Sequence, residues 1–397
     1  MNSIILKNLI RIMKKSEAKS NIKVMTVVGT RPEIIRLSRV IYLLEQSVNH
    51  VLVHTGQNWD YELNEIFFKD LEIRKPDYFL EVDTSSLGRV LGETLIKSEK
   101  VLKKEKPDAV LILGDTNSSI AGIMAKRLRI PVYHMEAGNR CFDLNVPEEI
   151  NRRLIDHVAD FNLVYTEHAR RHLISEGLPQ RRIYLTGSPM FEVIHNYKEK
   201  IEKSNILKEL NLKENKYFII SAHREENVDN KNNLNKILIV LNTLADSYDI
   251  PVIVSTHPRT KKRLESHDTN KLNKHIQFLK PFGFCDYIKL QMNSKCAISD
   301  SGTISEESSI LSFPAITIRN AMERPEAIDA GTIILSGLEP DIVIDSVKLV
   351  IEEHKNKKYN KIPFEYEILN TSWRVLKLIQ GTADLSNKWN GITKNEI

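Results

Sequence analysis

The sequence predicts an α/β fold built from two doubly wound, Rossmann-like domains in tandem. Two observations carry this. From Lys23 onward short β-branched runs alternate with helix-period segments, as in a parallel sheet wound with helices, and the series starts afresh after Gly187. At 397 residues the chain also exceeds what one hydrophobic core usually serves. The expected division is an N-terminal extension over 1–23, a first domain over 24–190, a second over 191–370, and a C-terminal helix over 371–397 that packs back on the first domain.

In chain order, the extension comes first. It sets Ile4, Ile5, Leu9, Ile12 and Met13 among Lys7, Arg11, Lys14 and Lys15. Charge interrupts every apolar stretch, so it makes a poor signal peptide; it reads first as a frayed lead-in and second as a basic amphipathic segment for weak attachment to a membrane surface or partner. KVMTVVG then reads as a buried strand, followed by a tight loop. PEIIRLSRVIYLLEQ places Ile34, Ile35, Leu37, Ile41 and Leu44 mostly along one side of a helix, with Pro32 suited to its first turn. Strands follow at HVLVHT, DAVLILGDT, IPVYHME, FNLVYT and RIYLTG, separated by helices such as SSIAGIMAKRLR and EEINRRLIDHVAD. A long charged helix ending near Leu212 leads into the second series: KYFIISAH, IPVIVSTH, IQFLKP, CAISDSG, PAITIR and TIILSG. The two sets of strand ends are expected to face a shared crevice.

Composition excludes several classes. The net charge of +5 is a thin excess of 57 basic over 52 acidic residues, which permits an anionic small ligand but lacks the basic stripe of a nucleic-acid binder. Cys141, Cys285 and Cys296 lie far apart without CxxC spacing, which argues against both a disulfide framework and a zinc site and fits a reducing cytoplasm. No apolar run approaches the ~20 residues a membrane helix needs.

Ligands of wound sheets bind beyond the carboxyl ends of the strands, so polar residues there are the first candidates. Gly29 and Thr30 allow a close turn before Arg31, which stands at a helix start where an anion is favoured; Arg36 lies one turn on. Asp115 and Glu136 leave neighbouring strands at corresponding ends. Carboxylates there are costly unless paired or used, and clustered ones can divide acid and base roles. Glu148 and Glu149 open a helix, where capping alone also explains them. In the second half, His223 and Arg224 end a strand. Ser301, Gly302 and Thr303 form a turn opening a helix, suited to phosphate, and Glu306 and Glu307 follow within reach of ribose hydroxyls. Arg319 and Arg324 come after the next strand. There is no Asp-x-Asp pair, GxGxxG loop or Walker lysine, so arginines, a histidine and helix N-termini are expected to neutralise a pyrophosphate without metal or other cofactor.

The ordered set GTRPE, TGQ, LGDT, MEAG, PEEINR, GSP, HREEN, DSG and ERPE resembles the non-hydrolysing UDP-N-acetylglucosamine 2-epimerase family, from about Lys23 to the C-terminal helix. The resemblance implies a glycosyltransferase-B arrangement with an interdomain active-site cleft, a homodimer, and a UDP-linked N-acetyl amino sugar as substrate. The wording MEAGNRCFD, VPEEINRRLIDH and TGSPMFEV is most similar to UDP-N-acetyl-L-fucosamine synthases of capsule and O-antigen pathways, which invert C2 of UDP-2-acetamido-2,6-dideoxy-L-talose. The implied mechanism eliminates UDP to give a 2-acetamidoglycal and then adds it back.

Matched position by position, the resemblance assigns UDP contacts to Arg31, His223, Ser301, Gly302, Glu307 and Arg324, and places Tyr287 near the uracil. His223 is grouped with the catalytic residues and Arg140 and Thr303 with the substrate-binding ones. Asp115, Glu136 and Glu148 match the acid and base residues, three candidates for two proton transfers. Arg36 stands where relatives have lysine, and Thr303 replaces the second glycine of the usual SGG. Gln57 matches a position linked to the family's regulatory substrate site. The same chemistry on UDP-N-acetylglucosamine is the nearest alternative reading, and a glycosyltransferase is a more distant one.

Overall fold

The computed structural model describes residues 19–56, 68, 70–265, 272–356 and 362–392. The chain divides into two compact units. The first comprises Met1–Asn139, Asp143–Val193 and Ile368–Ile397; the second comprises Arg140–Phe142 and Ile194–Glu367.

Among the described residues of the first unit, seven strands form one sheet: β1 (Ser20–Val28), β2 (Val48–His54), β3 (Tyr78–Phe79), β4 (Ala109–Leu113), β5 (Val132–Met135), β6 (Phe161–Val164) and β7 (Ile183–Leu185). They run parallel in the order β3-β2-β1-β4-β5-β6-β7. The helices between them are α1 (Arg31–Ser47), α2 (Leu87–Glu105), α3 (Ala121–Arg127), α4 (Pro147–Val158) and α5 (Glu167–Ser175). A sheet covered on both faces needs strands apolar throughout, which is why AVLIL of β4 is buried at every position. Its alternate residues Val110 and Ile112 join Met25, Val27, Val51 and Val53 in one core cluster.

Two departures from the sequence reading have local causes. β1 starts at Ser20, ahead of the expected Lys23, and its pairing with β2 is irregular between those residues, where no apolar pattern announces a strand. The two-residue edge strand β3 is too short to carry a period.

The helix α6 (Met190–Lys203) takes the chain into the second unit. The expected continuous helix to Leu212 is broken after Lys203, and α7 (Ile206–Glu209) takes over. Ser204 turns the chain: its hydroxyl accepts the Ile206 N–H at 3.3 Å and donates to Asp286 at 2.5 Å, in competition with the helical ladder.

The second unit repeats the plan. β8 (Phe218–Ser221), β9 (Val252–Ser255), β10 (Ile276–Leu279), β11 (Cys296–Ser299), β12 (Ala315–Thr317) and β13 (Ile334–Leu335) form a parallel sheet in the order β10-β9-β8-β11-β12-β13 among the described residues. Its helices are α8 (Glu225–Val228), α9 (Lys231–Tyr248), α10 (Pro258–Leu264), α11 (Phe284–Asn293), α12 (Ile304–Leu311), α13 (Glu326–Asp329) and α14 (Pro340–Lys355). Phe218, Ile220, Val252, Val254 and Ile298 face one core cluster, while Tyr217, Ile219, Ile253 and Ala297 face the other.

The final helix, α15 (Thr371–Trp389), returns to the first unit and packs on α1. The Thr371 hydroxyl donates to the carbonyls of Thr186 and Ser188, each at 3.2 Å. Glu192 caps the helix start, accepting from the backbone N–H of Ser372 at 2.9 Å and from its hydroxyl. Gly187, at φ +81°, lies so close under Ile368 that any Cβ there would overlap that side chain. No helix among the described residues is long and apolar enough to cross a membrane.

Candidate active site

In each sheet the strand order runs outward in both directions from one adjacent pair, and the loops beyond that pair flank the topological switch point where wound sheets take their ligands. In the first unit the pair is β1 and β4. Beyond β1, the chain turns through Gly29 and Thr30 into α1, where Arg31 is half-buried at the first helical position. Glu33 folds back on this turn. One carboxylate oxygen accepts the Gly29 N–H at 3.0 Å and the Thr30 hydroxyl at 2.7 Å; the other accepts the Ser118 hydroxyl from the segment beyond β4. Burial lifts the Glu33 carboxyl from its ordinary 4.5 to about 7, against the downward pull of the Ser118, Thr30 and Gly29 hydrogen bonds.

Two carboxylates stand on the adjacent ends of β4 and β5. Asp115 follows the left-handed Gly114 and is gripped by the fork of Arg152, from Nε at 3.0 Å and from Nη2. Arg152 is itself buried on α4 and donates from Nη1 to the fully buried Glu149 at 2.7 Å; Glu149 also accepts from Arg153 at 3.1 and 3.0 Å. Glu136 is buried and holds a left-handed backbone, φ +64°, which costs a side chain about 1–2 kcal/mol. Such local strain persists where surrounding structure fixes the site. Its carboxylate pairs with the buried Arg36 from α1. The Glu136 carboxylate lies beside Gly114, the residue preceding Asp115, at ordinary contact distance: a Cβ there would stand 3.8 Å from it. Glu148 is half-buried, one residue into α4.

In the second unit the pair is β8 and β11, and a buried carboxylate bridges it too. Asp300 accepts the backbone N–H of His223 at 3.1 and 3.0 Å, that of Arg224 at 3.0 Å, and the Asn227 amide at 3.0 Å. The His223 Nδ1 stands 3.2 Å from the same carboxylate, which leaves Nε2 on the far side of a partly exposed ring. Beyond β11, the Ser301 hydroxyl organises the turn, 3.0 Å from the Thr303 hydroxyl and accepting the Thr303 N–H at 3.3 Å. Three guanidinium groups converge on Gly302. Arg324 donates to its carbonyl at 3.1 Å and pairs with Glu306; Arg224 and Arg319 would lie 3.8 and 4.0 Å from a Cβ there. Glu323 ties the last two together, at 3.5 and 2.8 Å.

The remaining candidates are more dispersed. Glu307 is buried and accepts the Gln291 amide at 2.8 Å. Tyr287, on α11, is half-buried against the cluster that holds Tyr217 and Ile219, and burial pushes its hydroxyl well up. Arg140 is buried and belongs with Cys141 and Phe142 to the second unit. Gln57 lies outside the described residues.

Sequence reasoning did not single out Glu33, Arg152 or Asp300. Each left a signal. Thr30-x-x-Glu33 has capping-box spacing, Glu149-x-x-Arg152 places two side chains on one helical face, and Asp300 is a carboxylate directly after the apolar CAIS strand.

The sequence model of the family described as UDP-N-acetylglucosamine 2-epimerase matches residues 43–380. The solved UDP-N-acetylglucosamine 2-epimerase of Rickettsia bellii is 50% identical and superposes with a TM-score of 0.87, covering 93% of this chain and 99% of that one. The Methanocaldococcus jannaschii UDP-GlcNAc 2-epimerase, solved in complex with UDP-GlcNAc and UDP, is 37% identical with a TM-score of 0.85, covering 91% of this chain and 100% of that one. The UDP-2,3-diacetamido-2,3-dideoxy-D-glucuronate 2-epimerase of Pseudomonas aeruginosa is 33% identical over 331 residues, 82% of this chain and 91% of its own. The α/β fold of two Rossmann-like units is therefore as the sequence predicted.

Proposed function

Because the chain belongs to the UDP-N-acetylglucosamine 2-epimerase family and is a non-hydrolysing UDP-sugar 2-epimerase, we propose that its substrate is UDP-2-acetamido-2,6-dideoxy-L-talose and its product UDP-N-acetyl-L-fucosamine. The proposal extends to a cytoplasmic homodimer serving capsule or O-antigen synthesis. The reaction class is supported by one observation above others: two carboxylates, Asp115 and Glu136, on adjacent strand ends of one unit, with guanidinium groups gathered at a phosphate-type turn in the other. The choice of sugar is supported by the wording MEAGNRCFD, VPEEINRRLIDH and TGSPMFEV.

In the proposed reaction a carboxylate removes the C2 proton while the C1–O bond breaks. The electron pair leaves on the β-phosphate oxygen of UDP, and a C1=C2 double bond remains. No carbonyl adjoins C2, so departure of a well-stabilised UDP carries much of the barrier. Arg324, Arg31 and His223 are the groups assigned to that charge, with Ser301, Gly302 and Thr303 donating around the phosphate. In the return step the UDP oxygen bonds C1 again as an acid delivers a proton to the opposite face of C2. Asp115 and Glu136 serve as base and acid, and Glu148 positions or shares a proton. Arg36 and Arg152 fix the orientation of the two carboxylates. Arg140 contacts the sugar, Glu307 the ribose and Tyr287 the uracil.

Incubation with the 6-deoxy-L-talo and the D-gluco substrates in deuterated water, followed by NMR, tests the reading. The L-talo compound should give its C2 isomer, carry deuterium at C2 and need no acceptor. Turnover of UDP-N-acetylglucosamine alone would overturn the substrate assignment. Asp115→Asn and Glu136→Gln should keep UDP affinity while turnover falls by about 10²-fold or more, as for a missing general catalyst. Near-normal turnover in either removes that residue from the chemistry.

A further inference from the structure

The carboxylates of the proposed site sit on two turns, and a buried pair outside the expected set clamps both. His134 lies on β5 two residues before Glu136 and has no exposed surface. Its Nε2 is 2.8 Å from the carbonyl of Gly114, the residue before Asp115. Its Nδ1 is 2.9 Å from Asp156 on α4, also fully buried. Asp156 in turn accepts the Gly138 N–H, both carboxylate oxygens lying 3.2 Å from it, two residues after Glu136.

A carbonyl can only accept, so Nε2 carries a hydrogen. Nδ1 faces a carboxylate, so a second proton lies between ring and acid. The pair thus donates to one turn and accepts from the other, in a place no water reaches. Glu136 holds left-handed backbone at φ +64°, which a residue with a side chain keeps only where its surroundings fix it, while Gly114 and Gly138 take φ +71° and +80° freely and let the two turns approach the pair. Gly138 has no room to shift, since a Cβ there would overlap the Ala169 carbonyl, and its own carbonyl accepts from His172 at 2.9 Å. The same helix face that carries Asp156 carries Arg152, four residues earlier, which grips Asp115 from the other side.

We propose that the His134–Asp156 pair is a positioning element that sets the separation of the Asp115 and Glu136 carboxylates, without touching substrate itself. The inference rests on the reading of those carboxylates as the proton-transfer groups. Misplacing a catalytic group by about 1 Å costs on the order of 10²-fold in rate. His134→Gln can satisfy one anchor only, and Asp156→Ala neither. Asp156→Asn keeps both, its carbonyl oxygen accepting from Gly138 and its amide donating to a neutral ring.

The test uses the full chain and whichever UDP-sugar the wild type epimerises, with circular dichroism to confirm folding. His134→Gln and Asp156→Ala should lower kcat by about 10²-fold while KM and the dissociation constant for UDP stay within about twofold, and Asp156→Asn should recover at least about a tenth of wild-type turnover. A folded His134→Gln or Asp156→Ala enzyme with wild-type kcat, or a loss confined to KM, overturns the inference. Should neither variant fold, Asp156→Asn decides: recovery supports the clamp and loss of turnover refutes it. Wild-type turnover in Asp115→Asn and Glu136→Gln would instead overturn the underlying reading, whatever the pair does.

Discussion

Replacing Glu33 by glutamine should make the first unit more stable at neutral and alkaline pH, and the gain can be worked from the structure. Glu33 is buried, with its carboxyl lifted from 4.5 to about 7. Between those values the folded chain holds a proton that the unfolded chain has released, so the contribution is fully present below pH 4.5 and is lost as pH rises toward 7. The whole displacement corresponds to about 3 kcal/mol, most of which falls between about pH 5 and about pH 8. Glutamine matches the shape. Its carbonyl oxygen can accept from Gly29 and Thr30, and its amide can donate to Ser118, whose hydroxyl can turn to Thr116 at 2.7 Å. Urea unfolding followed by tryptophan fluorescence reads the first unit selectively, because Trp373 and Trp389 belong to it and 140–142 and 194–367 of the second unit contain no tryptophan. Wild type should lose stability relative to Glu33→Gln across that pH range and stay below it by a constant amount at higher pH. Parallel profiles for the two proteins would refute the reasoning.

Three further changes probe the scaffold of the site. Arg152→Gln removes the fork on Asp115 and a partner of buried Glu149, so unfolding should cost about 3–5 kcal/mol less, and turnover should fall while calorimetry finds UDP binding intact. Asp300→Ala leaves the His223 and Arg224 N–H groups and the Asn227 amide without their acceptor; stability should drop by at least about 2 kcal/mol, and UDP affinity should weaken with it. Gly138→Ala places a Cβ on the Ala169 carbonyl at a positive φ, which should cost more stability than the about 1–2 kcal/mol of the backbone term alone, read as a lowered melting temperature, and should reduce kcat through the Glu136 turn.

The succession of strands and helices was legible because each element announces itself locally. Buried strands such as AVLIL are continuous apolar runs, and α1 repeats its apolar residues at helical spacing. The exceptions were those without a local signal: the irregular start of β1, the two residues of β3, and the break between α6 and α7 that a single Ser204 side chain makes. Arg31, Asp115, Glu136, His223, Ser301 and Arg324 could also be picked out, since they follow strands at the end where wound sheets bind ligands. The ordered motifs did the rest for the family.

The sequence by itself therefore determined the two wound units, the strand-end residues and the reaction class. Only the tertiary structure decided which side chains meet: Arg36 with Glu136 across 100 residues, Glu33 with Ser118 across 85, Asp300 with His223 across 77. Those meetings depend on sheet order and on which face each helix turns inward. Both are set by packing the whole core at once, and no local pattern of residue types encodes them.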